Sequence, residues 1–245
     1  LAQQPDLPAL PDLGPMEKPD WRQIASFARL GLPAGMSYMV EVTSFTLMAL
    51  FIARQGTVAA ASHQIAASLA ALLYMVPLSL AIASSARVSY WIGAGEPSLA
   101  RRVVGMSLGL SALSATALAL LLWLLSQQIP AWFSRNPEVV IAASSLLGWV
   151  ALYHLADSVQ ALCAFLLRCY RITLVPLLIY GVLLWGLGLA GGYFLAYGGS
   201  ASLPAAPNPA SFWSAATLAL AAVALSFLAL LWRAMQASRD SATSP

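Results

Sequence analysis

Charged residues are scarce in this 245-residue sequence: twelve are Lys or Arg and nine are Asp or Glu, which together make up 9% of the chain. In soluble globular proteins about a quarter of the residues are charged, so this class is excluded. The same scarcity excludes nucleic-acid binding through a basic stripe, although the isoelectric point is near 9.1. Apolar residues instead account for 60% of the sequence.

Cysteine is scarce as well. Cys163 and Cys169 are the two cysteines of the chain, and their spacing matches neither a CxxC pair nor a metal-binding pattern. We therefore expect no disulfide framework, no zinc site and no resident cofactor.

Six apolar runs are long enough to cross a membrane. A helix needs about 20 apolar residues to span the hydrocarbon core, and it satisfies its own backbone hydrogen bonds there. The runs cover residues 32–53, 65–86, 103–125, 142–166, 174–197 and 212–232. The sequence therefore predicts an all-α membrane protein, a six-transmembrane-helix bundle over residues 32–232.

The distribution of Lys and Arg predicts the orientation of the bundle. If six spans place both ends on one side, that side carries Lys18, Arg22, Arg29, Arg87, Arg101, Arg102, Arg168, Arg171, Arg233 and Arg239. The other side carries Arg54 and Arg135. Because cytoplasmic loops are enriched in basic residues, we expect both ends of this chain in the cytoplasm.

The segments that flank the bundle differ in composition from the apolar spans. Residues 1–19 are rich in proline and are predicted to be an extended linker. In residues 20–31 apolar positions alternate with arginines behind Asp20, a candidate N-cap, which predicts a short interfacial amphipathic helix. Residues 233–245 are predicted to be a cytoplasmic polar tail.

Tryptophan, glycine and proline predict how the spans end and pack. Four tryptophans lie near predicted span ends, where aromatic rings favour the headgroup level: Trp91, Trp132, Trp213 and Trp232. Gly105 with Gly109, and Gly188 with Gly192, have the spacing of close-packing GxxxG faces. Pro77 interrupts the second run and is a hinge candidate, with a simple bend as the alternative.

Two carboxylic acids lie deep within the predicted spans. Glu41 is twelve residues after Arg29 and thirteen before Arg54, which places it about 18–20 Å from either end. Asp157 is eleven residues before Arg168, about 16 Å from that end of its helix. A carboxylate at the centre of a bilayer costs about 2.5–3.5 kcal/mol, so both acids are candidates for function.

Helical spacing gives each acid polar or aromatic neighbours on its own face. Residues three or four apart share a face of a helix. One such stripe is Ser37, Glu41, Ser44 and Met48, and the other is Trp149, Tyr153, Asp157 and Gln160. Two such stripes predict a hydrated cavity, with Ser37, Ser44, Met48, Trp149 and Gln160 as its candidate lining.

Glu41, Asp157 and Tyr153 are the candidate cation or proton site. Burial favours a protonated carboxyl group, whereas an approaching cation or contact with water favours the ionised form, so the group can load on one side and unload on the other. The same oxygens suit Na⁺, a hard cation. The alternative is that each carboxyl group stays protonated and hydrogen-bonds a neighbouring helix.

Two strings resemble catalytic motifs. Residues 105–109 match the GxSxG nucleophile elbow, and residues 186–191 match the dinucleotide-binding fingerprint. Both motifs require a turn between a strand and a helix, yet both copies lie inside apolar helical runs. We therefore do not expect an enzyme.

Several ordered strings between Trp21 and Trp232 resemble one transporter family. They are Gly31-Leu32-Pro33-Ala34-Gly35, Ala61-Ser62-His63-Gln64-Ile65-Ala66, Met75-Val76-Pro77-Leu78-Ser79, Ala86-Arg87-Val88, Ile92-Gly93-Ala94-Gly95, Asp157-Ser158-Val159-Gln160 and Leu167-Arg168-Cys169-Tyr170-Arg171. Together they resemble the multidrug and toxic compound extrusion (MATE) family, in particular its bacterial NorM-like branch. The family more usually has glycine at the position of Cys169.

The resemblance implies a fold and an activity. Members have two six-helix lobes and export small cationic or aromatic drugs across the bacterial inner membrane in exchange for H⁺ or Na⁺. This sequence is similar to the second lobe, helices seven to twelve, so we expect a fragment whose partners are membrane lipids and a missing N-terminal lobe. Glu41 matches the family's acid on helix seven, while Asp157 and Tyr153 match its cation-site residues on helix ten.

Two other functions remain open at this point. A lipid-linked precursor flippase of the same superfamily would need several basic residues in its cavity to hold pyrophosphate, whereas the middle of these spans offers acids. A non-transporting membrane subunit would use its GxxxG faces to assemble partners.

Overall fold

A computed structural model of the chain describes residues 20–199 and 204–243. Its six helices that are long and apolar enough to cross a membrane confirm the predicted all-α bundle. In chain order, these first to sixth spans are Trp21–Ala53, Thr57–Gly93, Pro97–Leu124, Pro137–Cys169, Leu174–Gly198 and Pro209–Thr243. A short helix, Ile129–Phe133, lies between the third and fourth spans.

Both ends of the bundle differ from the predicted segmentation. The Asp20 carboxylate accepts hydrogen bonds from the backbone N–H groups of Arg22 and Gln23, as expected of an N-cap. The helix then runs without a break to Ala53, so residues 20–31 are not a separate helix. Pro33 is accommodated because its ring fixes φ near the helical value, at the cost of one backbone hydrogen bond.

At the other end, residues 233–243 of the predicted polar tail belong to the sixth helix, Pro209–Thr243. The predicted linker, residues 1–19, lies outside the described residues.

The fourth span is the centre of the bundle and the first span lies at its edge. The fourth span packs against the second, third and sixth, and most of the large buried side chains belong to the fourth and sixth spans. The first span packs mainly against the fifth and second. Ser44, Met48 and Ile52 are its buried residues. The position of the first span therefore depends on few neighbours.

The fifth span is not a uniform α-helix. After an α-helical segment, Leu174–Gly181, it widens to i→i+5 hydrogen bonding over Val182–Ala190 and again over Phe194–Gly198. The backbone N–H of Gly191 bonds to the Gly186 carbonyl, and that of Gly199 bonds to the Phe194 carbonyl at 2.8 Å. Hydrophobic periodicity predicts a helix here but does not distinguish its turn width.

The two predicted glycine pairs behave differently. A Cβ atom on Gly192 would lie 2.8 Å from Phe212 Cδ1 and 3.1 Å from Phe212 Cα, and one on Gly188 would lie 3.3 Å from Ala219 Cβ. Gly188 and Gly192 thus let the fifth span approach the sixth closely, as expected of a GxxxG face. Gly105 and Gly109 have nothing within 4 Å of an added Cβ atom among the described residues, so they do not form such a face within this chain.

We expect Gly192→Ala to lower the free energy of unfolding by about 1–3 kcal/mol, because the new methyl group collides with Phe212 backbone and ring atoms. Gly109→Ala is the matched control, since its methyl group enters open space. Thermal unfolding of both variants in detergent checks the difference. Equal stability of the two variants would contradict the observed close packing.

Candidate functional site

An open cavity of about 720 Å³ lies among the first, second, fourth, fifth and sixth spans. Both intramembrane acids line it, Glu41 from the first span and Asp157 from the fourth, together with Tyr153. The structure therefore brings the candidate cation-site residues to one cavity.

Asp157 is held deep in the fourth span. Its side chain is 4% exposed, and its Oδ1 atom makes no hydrogen bond to any residue that the structure describes. Tyr153 lies one turn before Asp157 and Gln160 nearly one turn after it, as the predicted stripe requires, and both are buried against the cavity. A buried carboxyl oxygen without a partner is costly, so a ligand, a proton or water is needed there.

Glu41 lines the same cavity as Asp157 and belongs to the first span. Its carboxyl group lies beside the Tyr180 hydroxyl of the fifth span. That hydroxyl forms no hydrogen bond of ordinary geometry within the described part of the chain. Ser37 lines the cavity one turn before Glu41, and its hydroxyl donates to the Pro33 carbonyl at 2.9 Å.

An aromatic cluster closes one end of the cavity. The rings of Phe45, Tyr153 and Trp213 pack edge to face, with centroids 5.7 to 6.2 Å apart, and His63 adds a fourth ring 5.9 Å from Trp213. We call these four residues the aromatic plug. Trp213 lies near the start of the sixth span and is fully buried against neighbouring spans, so its ring packs on protein. Edge-to-face packing stabilises such a cluster by about 0.5–1.5 kcal/mol per aromatic pair beyond the burial of its surface.

The plug accounts for two of the three predicted lining residues that are absent from the cavity. Ser37 and Gln160 line it, whereas Ser44, Met48 and Trp149 do not. Ser44 is buried at the level of Phe45, and Met48 lies one turn beyond it in the hydrophobic core. Trp149 borders a separate groove between the third and fourth spans, together with Trp123 and Leu152. Helical spacing predicts which residues share a face but not the depth at which a neighbouring helix closes the space.

Pro77, the hinge candidate, is buried within the second span, whose helix continues through it from Thr57 to Gly93. It does not line the cavity, although Met75 and Leu78 beside it do. A hinge role for Pro77 stays a prediction.

Among the lining residues that the sequence analysis did not identify are Tyr38, Tyr74, Tyr180 and Arg168. Tyr74 and Tyr180 lie in the middle of apolar runs, where a hydroxyl group needs a partner, and that was the signal available. Arg168 lies at the far end of the cavity from the plug, and its guanidinium is 4.6 Å from the centre of the Phe165 ring. Its role as a cavity residue depends on tertiary packing and had no signature in the sequence.

The site offers carboxylate, phenol and amide oxygens on one side of a mostly apolar cavity. Such oxygens bind a proton or a hard cation such as Na⁺. The remaining apolar and aromatic wall, which includes Phe45, Phe165 and Phe227, suits the body of an aromatic ligand. The arrangement combines an ion site with space for a larger molecule.

Cysteine labelling tests the position of the plug. In a background with Cys163→Ala and Cys169→Ala, we expect Ser37→Cys to react readily with a water-soluble maleimide, because position 37 lines the cavity. We expect Ser44→Cys, on the same helix face but buried, to stay unmodified in folded protein. Equal labelling of the two variants would contradict closure at Phe45.

Comparison with known proteins gives matches over most of the chain. The family model described as MatE matches residues 33–194. The chain is 38% identical over 203 residues to a probable multidrug resistance protein NorM from Aromatoleum aromaticum, an alignment that covers 83% of this chain and 44% of the relative. It is 36% identical to the multidrug resistance protein MdtK of Proteus mirabilis, covering 87% of this chain and 46% of that protein.

Solved structures show the same fold at low sequence identity. A MATE protein crystallised in a bent conformation superposes with a TM-score of 0.82 at 11% identity, covering 93% of this chain and 49% of that one. The eukaryotic MATE transporter AtDTX14 superposes with a TM-score of 0.76 at 19% identity, covering 91% of this chain and 50% of that one. The chain thus spans about half the length of the relatives that it matches.

Proposed function

Since this chain belongs to the multidrug and toxic compound extrusion (MATE) family, we propose that it forms one lobe of a secondary transporter that exports small cationic or aromatic drugs. Relatives named multidrug resistance proteins support the proposal, as does their length of about twice this chain. The activity is that of a transporter rather than an enzyme. The partner is the lobe that the relatives have and this chain lacks, and the surrounding lipids complete the environment.

Export is coupled to the entry of H⁺ or Na⁺ through Glu41, Asp157 and Tyr153. A ligand shifts a conformational equilibrium only through different affinities for the two states. Cation occupancy of the two acids favours one facing state, and drug binding in the same cavity favours the other. The observation that carries this proposal is the convergence of Glu41 and Asp157, from different spans, on one cavity in the membrane.

The lining of the cavity favours cation exchange over a flippase function. A flippase for a lipid-linked precursor needs a cluster of basic side chains to hold the pyrophosphate. Arg168 is the one basic residue among the lining residues described, and it lies at the opposite end from the acids.

Neutral substitutions at the two acids test the coupling. In the full-length transporter we expect Glu41→Gln and Asp157→Asn each to reduce ion-driven dye efflux to background, because neither amide can exchange a proton or balance a cation's charge. Glu96→Gln is the control, since Glu96 is an exposed loop residue. Efflux is measured from proteoliposomes with an imposed H⁺ or Na⁺ gradient. Normal efflux by both core variants would overturn the assignment.

We place the protein in the bacterial inner membrane with both ends of the chain in the cytoplasm, because ten of its twelve basic residues lie on that side. Alkaline phosphatase fusions test this topology, since the enzyme is active only outside the cytoplasm. We expect activity from a fusion after Asn136 and none from a fusion after Gly95. The reverse pattern would invert the topology.

A further inference from the structure

The fifth span holds the first span by hydrogen bonds from two aromatic side chains. The Trp185 indole Nε1–H donates to the Val40 carbonyl at 3.2 Å, and the Tyr197 hydroxyl donates to the Phe51 carbonyl at 2.7 Å. Tyr180, also in the fifth span, lies beside the Glu41 carboxyl group. These contacts link segments about 145 residues apart.

The Trp185 contact acts on the backbone of Glu41. The Val40 carbonyl belongs to the peptide unit that carries the Glu41 backbone nitrogen, so a hydrogen bond to it restrains the point from which the Glu41 side chain starts. The Thr43 hydroxyl donates mainly to the Met39 carbonyl at 2.6 Å, with the Val40 carbonyl as a longer second contact at 3.2 Å. The Trp185 N–H is therefore the donor that restrains the Val40 carbonyl from another span.

Two sets of contacts fix the position of Glu41 relative to Asp157. Four residues after Glu41, Phe45 packs on Tyr153 of the fourth span and Trp213 of the sixth. The first span as a whole packs mainly on the fifth and second spans, and the cavity separates Glu41 from Asp157. The gap between the two acids thus depends on the hold of the fifth span as well as on the Phe45 contact.

The wide turns of the fifth span help to aim both donors at the first span. Twelve residues separate Trp185 from Tyr197, which in a regular α-helix would place them about 120° apart around the axis. Turns with i→i+5 bonding rotate less per residue, and such turns occupy Val182–Ala190 and Phe194–Gly198. The widened geometry brings the two side chains towards one face.

An interfacial role does not account for Trp185. Tryptophan in membrane proteins is enriched at the headgroup level, but Trp185 is the twelfth residue of a 25-residue span and lies at its middle. An indole N–H at that depth has no water to bond, so its partner must be protein. The Val40 carbonyl is that partner.

We propose that Trp185 is a positioning residue that sets the geometry of the Glu41–Asp157 ion site by restraining the first span through the Val40 carbonyl. This proposal rests on the proposed coupling function, which it deepens. Tyr197 acts in the same way at the Phe51 end of the span. Trp185 itself is not among the residues that line the cavity.

The first arm of the test does not depend on transport. Trp185→Phe removes the donor and keeps most of the ring, and Trp123→Phe, at an exposed position of the third span, is the matched control. We expect hydrogen–deuterium exchange in peptides covering residues 40–45 to rise about threefold or more in Trp185→Phe and to stay unchanged in the control. Unchanged exchange in Trp185→Phe would overturn the restraint.

The second arm measures the ion site in the full-length transporter. We expect Trp185→Phe to raise the half-saturating concentration of the coupling cation about three- to tenfold, with the maximal efflux rate and the melting temperature near those of the parent. A purely structural role would lower the melting temperature and leave the half-saturating concentration unchanged. That result, with raised exchange, would overturn the positioning role alone.

Two further results separate the proposals and guard against misfolding. If the parent transporter shows no dependence on H⁺ or Na⁺, the proposed function fails and the positioning role falls with it.

Tyr197→Phe is the second variant and Tyr193→Phe its control one turn earlier. Loss of the Tyr197 hydroxyl should raise exchange near Phe51 and shift cation dependence in the same direction, and no change in either would count against the proposal.

Discussion

A carboxyl group inside a membrane has no bulk water to bond, so the protein must supply partners, a proton or a cation. This constraint organises the molecule around one cavity. Glu41 and Asp157 lie in different spans, yet both turn towards the same space and towards tyrosine hydroxyls. The rest of the surface can then be apolar, because the polar requirements of the chain are concentrated there. This requirement is strongest at Asp157. Its side chain is 4% exposed, and its Oδ1 atom has no hydrogen-bond partner among the residues that the structure describes.

The two acids belong to spans that are packed to different degrees. The fourth span is packed on several sides, so Asp157 is fixed relative to the core. The first span is held mainly by the fifth, whose wide turns and glycines make it an irregular support. The two acids are therefore held by spans with unequal packing. The aromatic plug lies at one end of the cavity and Arg168 at the other.

Family membership and the cavity support the transport proposal at different levels. The MatE match over residues 33–194 establishes the family, and the fold agrees with solved relatives. Neither specifies the ion or the drug. The cavity narrows the chemistry, since oxygen ligands and aromatic walls suit a small cation and an aromatic molecule, while one arginine at the far end does not suit a pyrophosphate. In the proposed transporter, the remaining half of the relatives' length would supply the opposite wall of a closed state.

The residue pattern within each single span was sufficient to predict three features: the number of spans, the positions of Glu41 and Asp157 within their spans, and the stripe that joins Asp157 to Tyr153 and Gln160. These features follow from span length and helical period, which are properties of one segment. It could not locate Tyr180 or Tyr74 beside the acids, nor exclude Met48 and Trp149 from the cavity. Those outcomes depend on which helix faces which and at what depth Phe45, Tyr153 and Trp213 meet. The wide turns of the fifth span and its bond to Val40 likewise arise from packing between residues distant in the chain, which periodicity within one helix does not encode.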